Sequence, residues 1–228
     1  MEKNENNFNL KFIPNKVISF KNIKILKKIL DNDVFEKYEV IAKVKGEYII
    51  CKDSTKLKNN HFKIMRETYK EYIDFIGKRD CEKDTWIYNI IDNIKEQDKI
   101  LYRDNLCIII PTYTWNTINI DKLHILSFPI DKTIRCIREL NKDHINLLKY
   151  MKNKTIQIIE NIYKLKEENL KIFIHYDPST YHLHIHYVNI IFLDMDSSVE
   201  YSHEINNVIF NLSIDTDYYK KIILNKRF

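Results

Sequence analysis

Apolar residues in the first third of the chain follow both helical and strand-like spacing. A helical face of apolar residues predicts a helix over 23–30, and β-branched and aromatic runs predict strands over 38–44 and 47–51. The spacing over 62–76 predicts another helix. We therefore predict a small N-terminal α+β domain over residues 1–78, whose boundary lies in a short, charged and polar stretch.

The rest of the chain predicts an antiparallel sheet with one long helix packed on it. A helix is expected over 86–95, and Arg103-Asp104-Asn105 forms the turn of a β-hairpin. A long amphipathic helix begins after Asn141 and runs to about Lys166. The strands are predicted over 99–102, 107–110, 123–128, 171–176 and 182–192. This order of elements predicts a C-terminal domain of the α+β class over 79–228.

The most unusual pattern lies in residues 175–186, which contain four of the eight histidines. His182, His184 and His186 alternate with apolar residues, so a strand would place the three imidazoles on one face. A row of imidazoles is a poor choice for a core, because each ring leaves polar nitrogens to satisfy. The pattern indicates metal binding, or nucleophilic and proton-transfer chemistry near neutral pH.

Glycine content limits how this chain could bind phosphate. Only Gly46 and Gly77 occur, whereas a Rossmann turn or a Walker loop needs several glycines for close backbone approach to phosphate. Side chains must therefore do much of any phosphate binding, and the histidines are the obvious candidates.

Charge and cysteine usage narrow the partners and the compartment. The formal net charge is +5, and acidic residues are scattered among basic ones, so no basic tract favours binding to DNA. The four cysteines are far apart, and no signal peptide is recognisable, so we expect a reducing compartment: the cytoplasm, and also the nucleus. No apolar run approaches membrane-spanning length, and we expect no membrane association.

Further motifs accompany the histidine segment, which reads His-Tyr-x-Pro-Ser-x-Tyr-His-x-His-x-His. They are Trp86-Ile87-Tyr88-Asn89-Ile90-Ile91-Asp92, Lys99-Ile100, Pro111, Trp115-Asn116, Ile134-Arg135 and Arg138-Glu139-Leu140. The set resembles the scavenger mRNA decapping enzymes, a branch of the histidine-triad superfamily. The resemblance covers about residues 62–220, and the N-terminal domain looks like a reduced form of the family's.

The resemblance implies a histidine-triad fold and a covalent reaction without a metal or another cofactor. The family cleaves the triphosphate bridge of 7-methylguanosine cap dinucleotides or short capped RNA, and releases 7-methylguanosine monophosphate. His184 matches the nucleophile, which forms a phosphohistidine intermediate that water hydrolyses. His182, His186 and His175 match the histidines beside the phosphates, and Ser179 matches a hydroxyl beside the bridge.

The resemblance also implies a pocket for the methylated base. Trp86 matches a stacking tryptophan, which suits a positively charged ring. Glu96 matches a carboxylate that accepts two hydrogen bonds from the guanine edge. Pro111 matches the pocket wall, and Tyr113 stands at a usually aliphatic position opposite the tryptophan.

Three positions depart from the family pattern. Thr112 stands where the family has an acidic residue, Thr114 where it has a lysine, and Tyr201 where it has an arginine near the phosphates. Because a charged hydrogen bond contributes about 1.5–3 kcal/mol, these changes are expected to reduce affinity or turnover.

Two other functions remain open alongside cap hydrolysis: a cap-binding protein with weak or no turnover, and a general dinucleoside polyphosphate hydrolase of the same superfamily. A zinc site at the histidines is a weaker alternative. The resemblance implies a homodimer that pairs through the long helix and a sheet edge.

Overall fold

The computed structural model describes residues 9–12, 16–19, 24–31, 35–41, 45–51, 64–192 and 197–227. It divides into two compact units, Met1–His61 and Phe62–Phe228, and each is described separately.

The described part of the first unit consists of strands. They are β1 (Asn9–Phe12), β2 (Lys16–Ser19), β3 (Lys24–Asp31), β4 (Phe35–Ile41) and β5 (Lys45–Cys51). β1 pairs antiparallel with β2, and β3, β4 and β5 form an antiparallel meander. The two predicted strands of the β4–β5 hairpin are confirmed.

The helix predicted over 23–30 is wrong. This segment is β3, which pairs with β4 from Lys24 opposite Ile41 to Asp31 opposite Glu36, with two irregularities in register. The main-chain hydrogen bonds to a neighbouring strand outweigh the helical spacing of three apolar side chains, because local propensity is a weak preference.

The division between the units differs from the predicted boundary at residue 78. β6 (Ile64–Glu67) pairs antiparallel with β13 (Leu224–Arg227) at the end of the chain. α1 (Tyr69–Ile76) begins at a capping box between Thr68 and Glu71 and ends at Gly77, so the predicted helix is present but shorter. Tyr72 of α1 is fully buried in the core of the second unit, which explains the earlier boundary.

A six-stranded antiparallel sheet forms the centre of the second unit. Its order is β12-β10-β11-β9-β8-β7. The strands are β7 (Tyr102–Arg103), β8 (Cys107–Pro111), β9 (His124–Pro129), β10 (Leu170–His175), β11 (Ile185–Asn189) and β12 (Ser202–Glu204). The helices are α2 (Thr85–Ile91), α3 (Ile145–Tyr163), α4 (Ile205–Ile214) and α5 (Tyr218–Lys221).

Two apolar clusters cover the two faces of this sheet. The larger joins Leu148 and Met151 of α3 to Ile125 and Ile185 of the sheet. The smaller joins α2, through Ile87, to residues such as Leu126 and Phe128 on the opposite face. The α+β class, the antiparallel sheet and the long packed helix are therefore confirmed.

None of the helices in the described ranges is long and apolar enough to span a bilayer. The structure contains one chain, so the homodimer stays a prediction.

Candidate active site

Three neighbouring strands place histidines on one face of the sheet. Phe173 of β10 lies opposite His186 of β11, and His186 lies opposite Leu126 of β9. Because residues two apart in a strand share a face, His175 and His124 share this face with His186. It is the face that α2 covers, on the side of the sheet away from α3.

His175, His184 and His186 form a compact group, called here the histidine cluster. The ring centroids of His175 and His186 are 4.1 Å apart, and those of His184 and His186 are 4.9 Å apart. One ring nitrogen of each residue lies within 4.8 Å of the others. None of the three is more than 9% exposed, so the cluster lies within the protein with only narrow access to solvent.

His182 lies apart from the cluster, against α2. Its Nε2 donates to the carbonyl oxygen of Pro129 at 2.8 Å, and the rings of Tyr88 and Phe128 contact it edge-on. The predicted strand over 182–192 is too long, because β11 begins only at Ile185. The backbone N–H of Leu183 bonds to Ile134 outside the sheet.

The hydrogen bond that His184 makes fixes which of its nitrogens can react. Nδ1 lies 2.7 Å from the carbonyl oxygen of His182. A carbonyl oxygen only accepts, so Nδ1 carries the proton and Nε2 of the neutral ring carries the lone pair. Burial lowers the pKa of His184, which keeps this ring neutral near pH 7.

Burial lowers the pKa of His186 well below its ordinary value, and the neighbouring His175 and His184 add to this effect. Among the described residues, His182 Nδ1 and His186 Nε2 are the buried side-chain nitrogens and oxygens without a hydrogen-bond partner. Buried polar atoms are almost always paired, so these two are free to bind a ligand.

His124 also belongs to this site, although no motif in the sequence singled it out. His124 is 4% exposed, and its Nε2 lies 2.9 Å from Nδ1 of His186. The contact fixes the orientation of the His186 ring. The sequence contains a hint of this position. His124, Leu126 and Phe128 are two residues apart in a predicted strand, so their side chains lie on one face of the sheet.

The start of α2 is hydrogen-bonded to the loop between His175 and His182. Asp84 accepts a hydrogen bond from the backbone N–H of Tyr181 at 2.9 Å, and it forms a buried ion pair with Arg79. Trp86 donates through Nε1 to the hydroxyl of Thr180 at 3.0 Å. Trp86, the candidate for base stacking, is therefore attached to the segment that holds the candidate nucleophile.

The other candidate base-binding residues lie near the ends of α2 and β8. The Glu96 side chain is 13% exposed, and its carboxylate lies 3.4 Å from the Lys99 ammonium group. Pro111 is half-buried at the end of β8, and Tyr113 is partly exposed. Ser179, the candidate for a contact with the triphosphate bridge, is exposed in the loop between His175 and His182.

Comparison with known proteins decides the family. Residues 85–200 match the model of a family described as "Scavenger mRNA decapping enzyme C-term binding". The chain belongs to the scavenger mRNA decapping enzyme family. The match includes Trp86, Glu96 and all four histidines of the segment 175–186.

Curated relatives carry the name m7GpppX diphosphatase. The human protein is 32% identical over 140 residues, which are 60% of this chain and 42% of the human one. The Ascaris suum protein is 27% identical over 215 residues, 87% of this chain and 71% of the relative. The Caenorhabditis elegans protein is 29% identical, over 61% of this chain and 46% of its own length. The chain thus spans less than half of the human and C. elegans relatives.

Among solved structures, the aprataxin ortholog Hnt3 in complex with DNA gives a TM-score of 0.41 at 13% identity, and covers 60% of this chain and 80% of its own.

The three departures from the family pattern have defined surroundings in this member of the decapping family. The hydroxyls of Thr112 and Thr114 are 3.0 Å apart, and Thr112 also donates to the carbonyl oxygen of His124. Tyr201 is 5% exposed and stacks on His175, with ring centroids 4.5 Å apart. These three positions therefore supply hydroxyls and an aromatic ring and no formal charge.

We expect the stability of this decapping-family chain to fall on acidification, because His182 is buried as a neutral ring. Burial lowers the pKa of His182 to about 4, whereas the unfolded chain titrates near 6.5. Below about pH 6.5 the unfolded state therefore binds a proton that the folded state does not, and stability is lost as the pH falls towards 4. His182 alone contributes a loss of about 2 kcal/mol between about pH 7 and pH 5.

Urea unfolding at the two pH values measures this loss. His203, whose pKa burial also lowers to about 4, acts in the same direction. The variant His182→Gln does not titrate at this position, so it should lose less stability than the wild type on acidification. Equal stability of the wild type at both pH values would contradict the prediction.

Proposed function

We propose that this chain hydrolyses the triphosphate bridge of 7-methylguanosine cap dinucleotides or short capped RNA. Family membership supports the proposal, together with the name m7GpppX diphosphatase of its relatives. One structural observation carries it: His184 donates through Nδ1 to the His182 carbonyl, so the Nε2 lone pair is available beside His175 and His186.

In the proposed reaction, the lone pair of His184 Nε2 attacks the phosphorus next to the methylated nucleoside. A P–N bond forms as the bond to the bridging oxygen breaks, and the nucleoside diphosphate or diphosphate-ended RNA leaves with that oxygen. Water then cleaves the P–N bond and releases 7-methylguanosine monophosphate, which restores the neutral ring. The Nδ1 hydrogen bond stabilises the positive charge that His184 gains on attack.

The two buried nitrogens without partners suit the phosphate oxygens. When His124 donates through Nε2 to Nδ1 of His186, Nε2 of His186 carries the proton and can donate to a phosphate oxygen. His182 can do the same through Nδ1 once its ring is protonated, a change that a nearby polyanionic substrate favours. His175 and Ser179 are further candidates for phosphate contacts.

Product analysis on three substrates tests the proposal: methylated cap dinucleotide, unmethylated cap dinucleotide and diadenosine polyphosphate, each without added metal. We expect cleavage of the methylated cap to 7-methylguanosine monophosphate to be the fastest of the three. Preferred cleavage of diadenosine polyphosphate would replace the proposal with a general dinucleoside polyphosphate hydrolase.

A cap-binding protein with weak turnover is the second candidate function. The observation that favours it is the absence of formal charge at Thr112, Thr114 and Tyr201, positions that are charged in the family pattern. Tight binding of the methylated cap with no release of 7-methylguanosine monophosphate would establish this alternative.

Trp86→Ala and Glu96→Ala are each expected to weaken binding of 7-methylguanosine monophosphate by about 1–3 kcal/mol, through loss of stacking and of charged hydrogen bonds. Isothermal titration calorimetry measures this binding, because Trp86→Ala removes the fluorescent reporter. In the wild type, 7-methylguanosine monophosphate should quench tryptophan fluorescence much more than guanosine monophosphate does. Glu96→Gln separates the loss of charge from the loss of side-chain volume.

The second tryptophan supplies a matched control. Trp115 is buried, and its Nε1 donates to the Asn119 carbonyl at 2.7 Å, so Trp115→Phe leaves Trp86 as the single tryptophan. Quenching should persist in Trp115→Phe and vanish in Trp86→Ala. Equal quenching by the methylated and unmethylated nucleotides would argue against charge-enhanced stacking on Trp86.

A further inference from the structure

The histidine cluster has the donor set of a metal site as well as that of a nucleophile. His175, His184 and His186 each offer one ring nitrogen, and these atoms lie within 4.8 Å of one another. Three nitrogens around a four-coordinate zinc ion lie about 3.4 Å apart, given Zn–N bonds of about 2.1 Å. Each pair of nitrogens must therefore approach by at most about 1.4 Å for all three to bind one ion.

In two of the three histidines, the Nδ1 atom already has a polar contact outside the cluster. His184 Nδ1 donates to the His182 carbonyl, and His186 Nδ1 contacts His124 Nε2. Histidines that bind metals are characteristically oriented in this way, through a hydrogen bond at the nitrogen that does not bind the metal. The buried, unpartnered Nε2 of His186 is a second, independent observation that indicates a missing ligand.

We propose that the histidine cluster binds one Zn²⁺ ion through His175, His184 and His186, and that zinc is an inhibitor of this protein. Neutral imidazoles suit zinc, and a site with three histidines leaves the fourth position for water or a phosphate oxygen. A bound ion occupies the Nε2 lone pair of His184, which can then no longer attack phosphorus. The binding site is independent of the proposed function, whereas the inhibition rests on it.

Zinc affinity of the full chain, measured by competition with a chromophoric chelator, tests the site without reference to activity. We expect one zinc ion per chain. His175→Ala and His186→Ala each remove a ligand and should weaken binding by more than about 100-fold, whereas His124→Ala removes an orienting contact and should weaken it by about 10- to 100-fold.

His144→Gln is the matched control. His144 accepts a hydrogen bond from the Asn141 backbone ahead of α3, and glutamine can accept the same bond. This variant removes one imidazole outside the cluster, so its zinc affinity should equal that of the wild type. Thermal melting monitors the fold of each variant. If an alanine variant fails to fold, His175→Gln or His186→Gln removes the same imidazole with a smaller loss of side-chain volume, and His184→Asn tests the third ligand.

The proposal is overturned if the wild type binds no zinc at about 10 μM, or if the cluster variants bind it as tightly as the wild type. Hydrolysis assays with and without zinc then separate the two proposals. Zinc binding at the cluster in a chain that does not cleave caps would leave the metal site standing and remove the proposed activity. Cap cleavage unaffected by bound zinc would remove His184 as a zinc ligand.

Discussion

His184→Asn should abolish cap hydrolysis and leave binding of 7-methylguanosine monophosphate unchanged. Asparagine can keep a donor near the His182 carbonyl that Nδ1 now contacts, but it has no nucleophilic ring nitrogen. Loss of covalent catalysis is the largest effect that we expect from any single substitution in this chain. Single-turnover cleavage of methylated cap dinucleotide measures it, with fluorescence titration for binding.

His144→Gln again provides the control, since it removes an imidazole outside the cluster and should cleave at the wild-type rate. Retention of more than a few per cent of the wild-type rate in His184→Asn would show that another group attacks phosphorus. Chelators should leave the wild-type rate undiminished. A strict requirement for added zinc would instead indicate a metal-bound hydroxide as the nucleophile.

The second large effect concerns stability and centres on Arg138, which is fully buried. Its guanidinium donates to the carbonyl oxygens of Tyr219, at 2.8 Å, and of Ile222, at 2.7 Å, and also to that of Glu67. It further donates to the hydroxyl of Tyr176, which itself donates to the carboxylate of Glu67. The Arg138 guanidinium is therefore hydrogen-bonded to β6, to the C-terminal segment and to Tyr176, which follows β10.

We expect Arg138→Ala to lower the free energy of unfolding by about 3–5 kcal/mol, because it removes the donor to three carbonyl oxygens and the buried positive charge beside the Glu67 carboxylate. Urea unfolding measures the change. Arg135→Ala is the matched control: Arg135 is only partly buried and its ion pair is with Glu139, so the loss should be at most about 1 kcal/mol. Similar losses in the two variants would show that the buried network contributes little.

Alternation of polar and apolar residues predicted much of the sheet and the position of the histidines. It predicted β8, β9, β10 and β11, whose side chains are almost all buried, but it did not predict β6, β12 or β13, which are short and carry more exposed residues. His186 and His175 lie on that sheet, as expected. His182 does not lie on the strand with His186, because the Leu183 N–H bonds to the Ile134 carbonyl and β11 begins only at Ile185. No periodicity in the sequence reports that bond.

Two further errors have the same physical origin, since they depend on partners distant in sequence. β3 has helical spacing but pairs with β4, and the boundary at 78 ignored the pairing of β6 with β13. His124 was overlooked because its significance comes from His186, 62 positions later in the chain. The predicted strand placed His124 on the face shared by Leu126 and Phe128, but the register between β9 and β11 was needed to show that His186 lies on the same face.

The pairing of β6 with β13 has a practical consequence for truncation. A fragment that starts at residue 79 loses the strand partner of β13 and the carboxylate of Glu67, which accepts from Tyr176 and lies 3.4 Å from the Lys226 ammonium. A fragment that starts at residue 62 keeps both. The first and last strands of the second unit are neighbours, so its ends could be joined by a short peptide and new termini opened at an exposed loop such as 117–119.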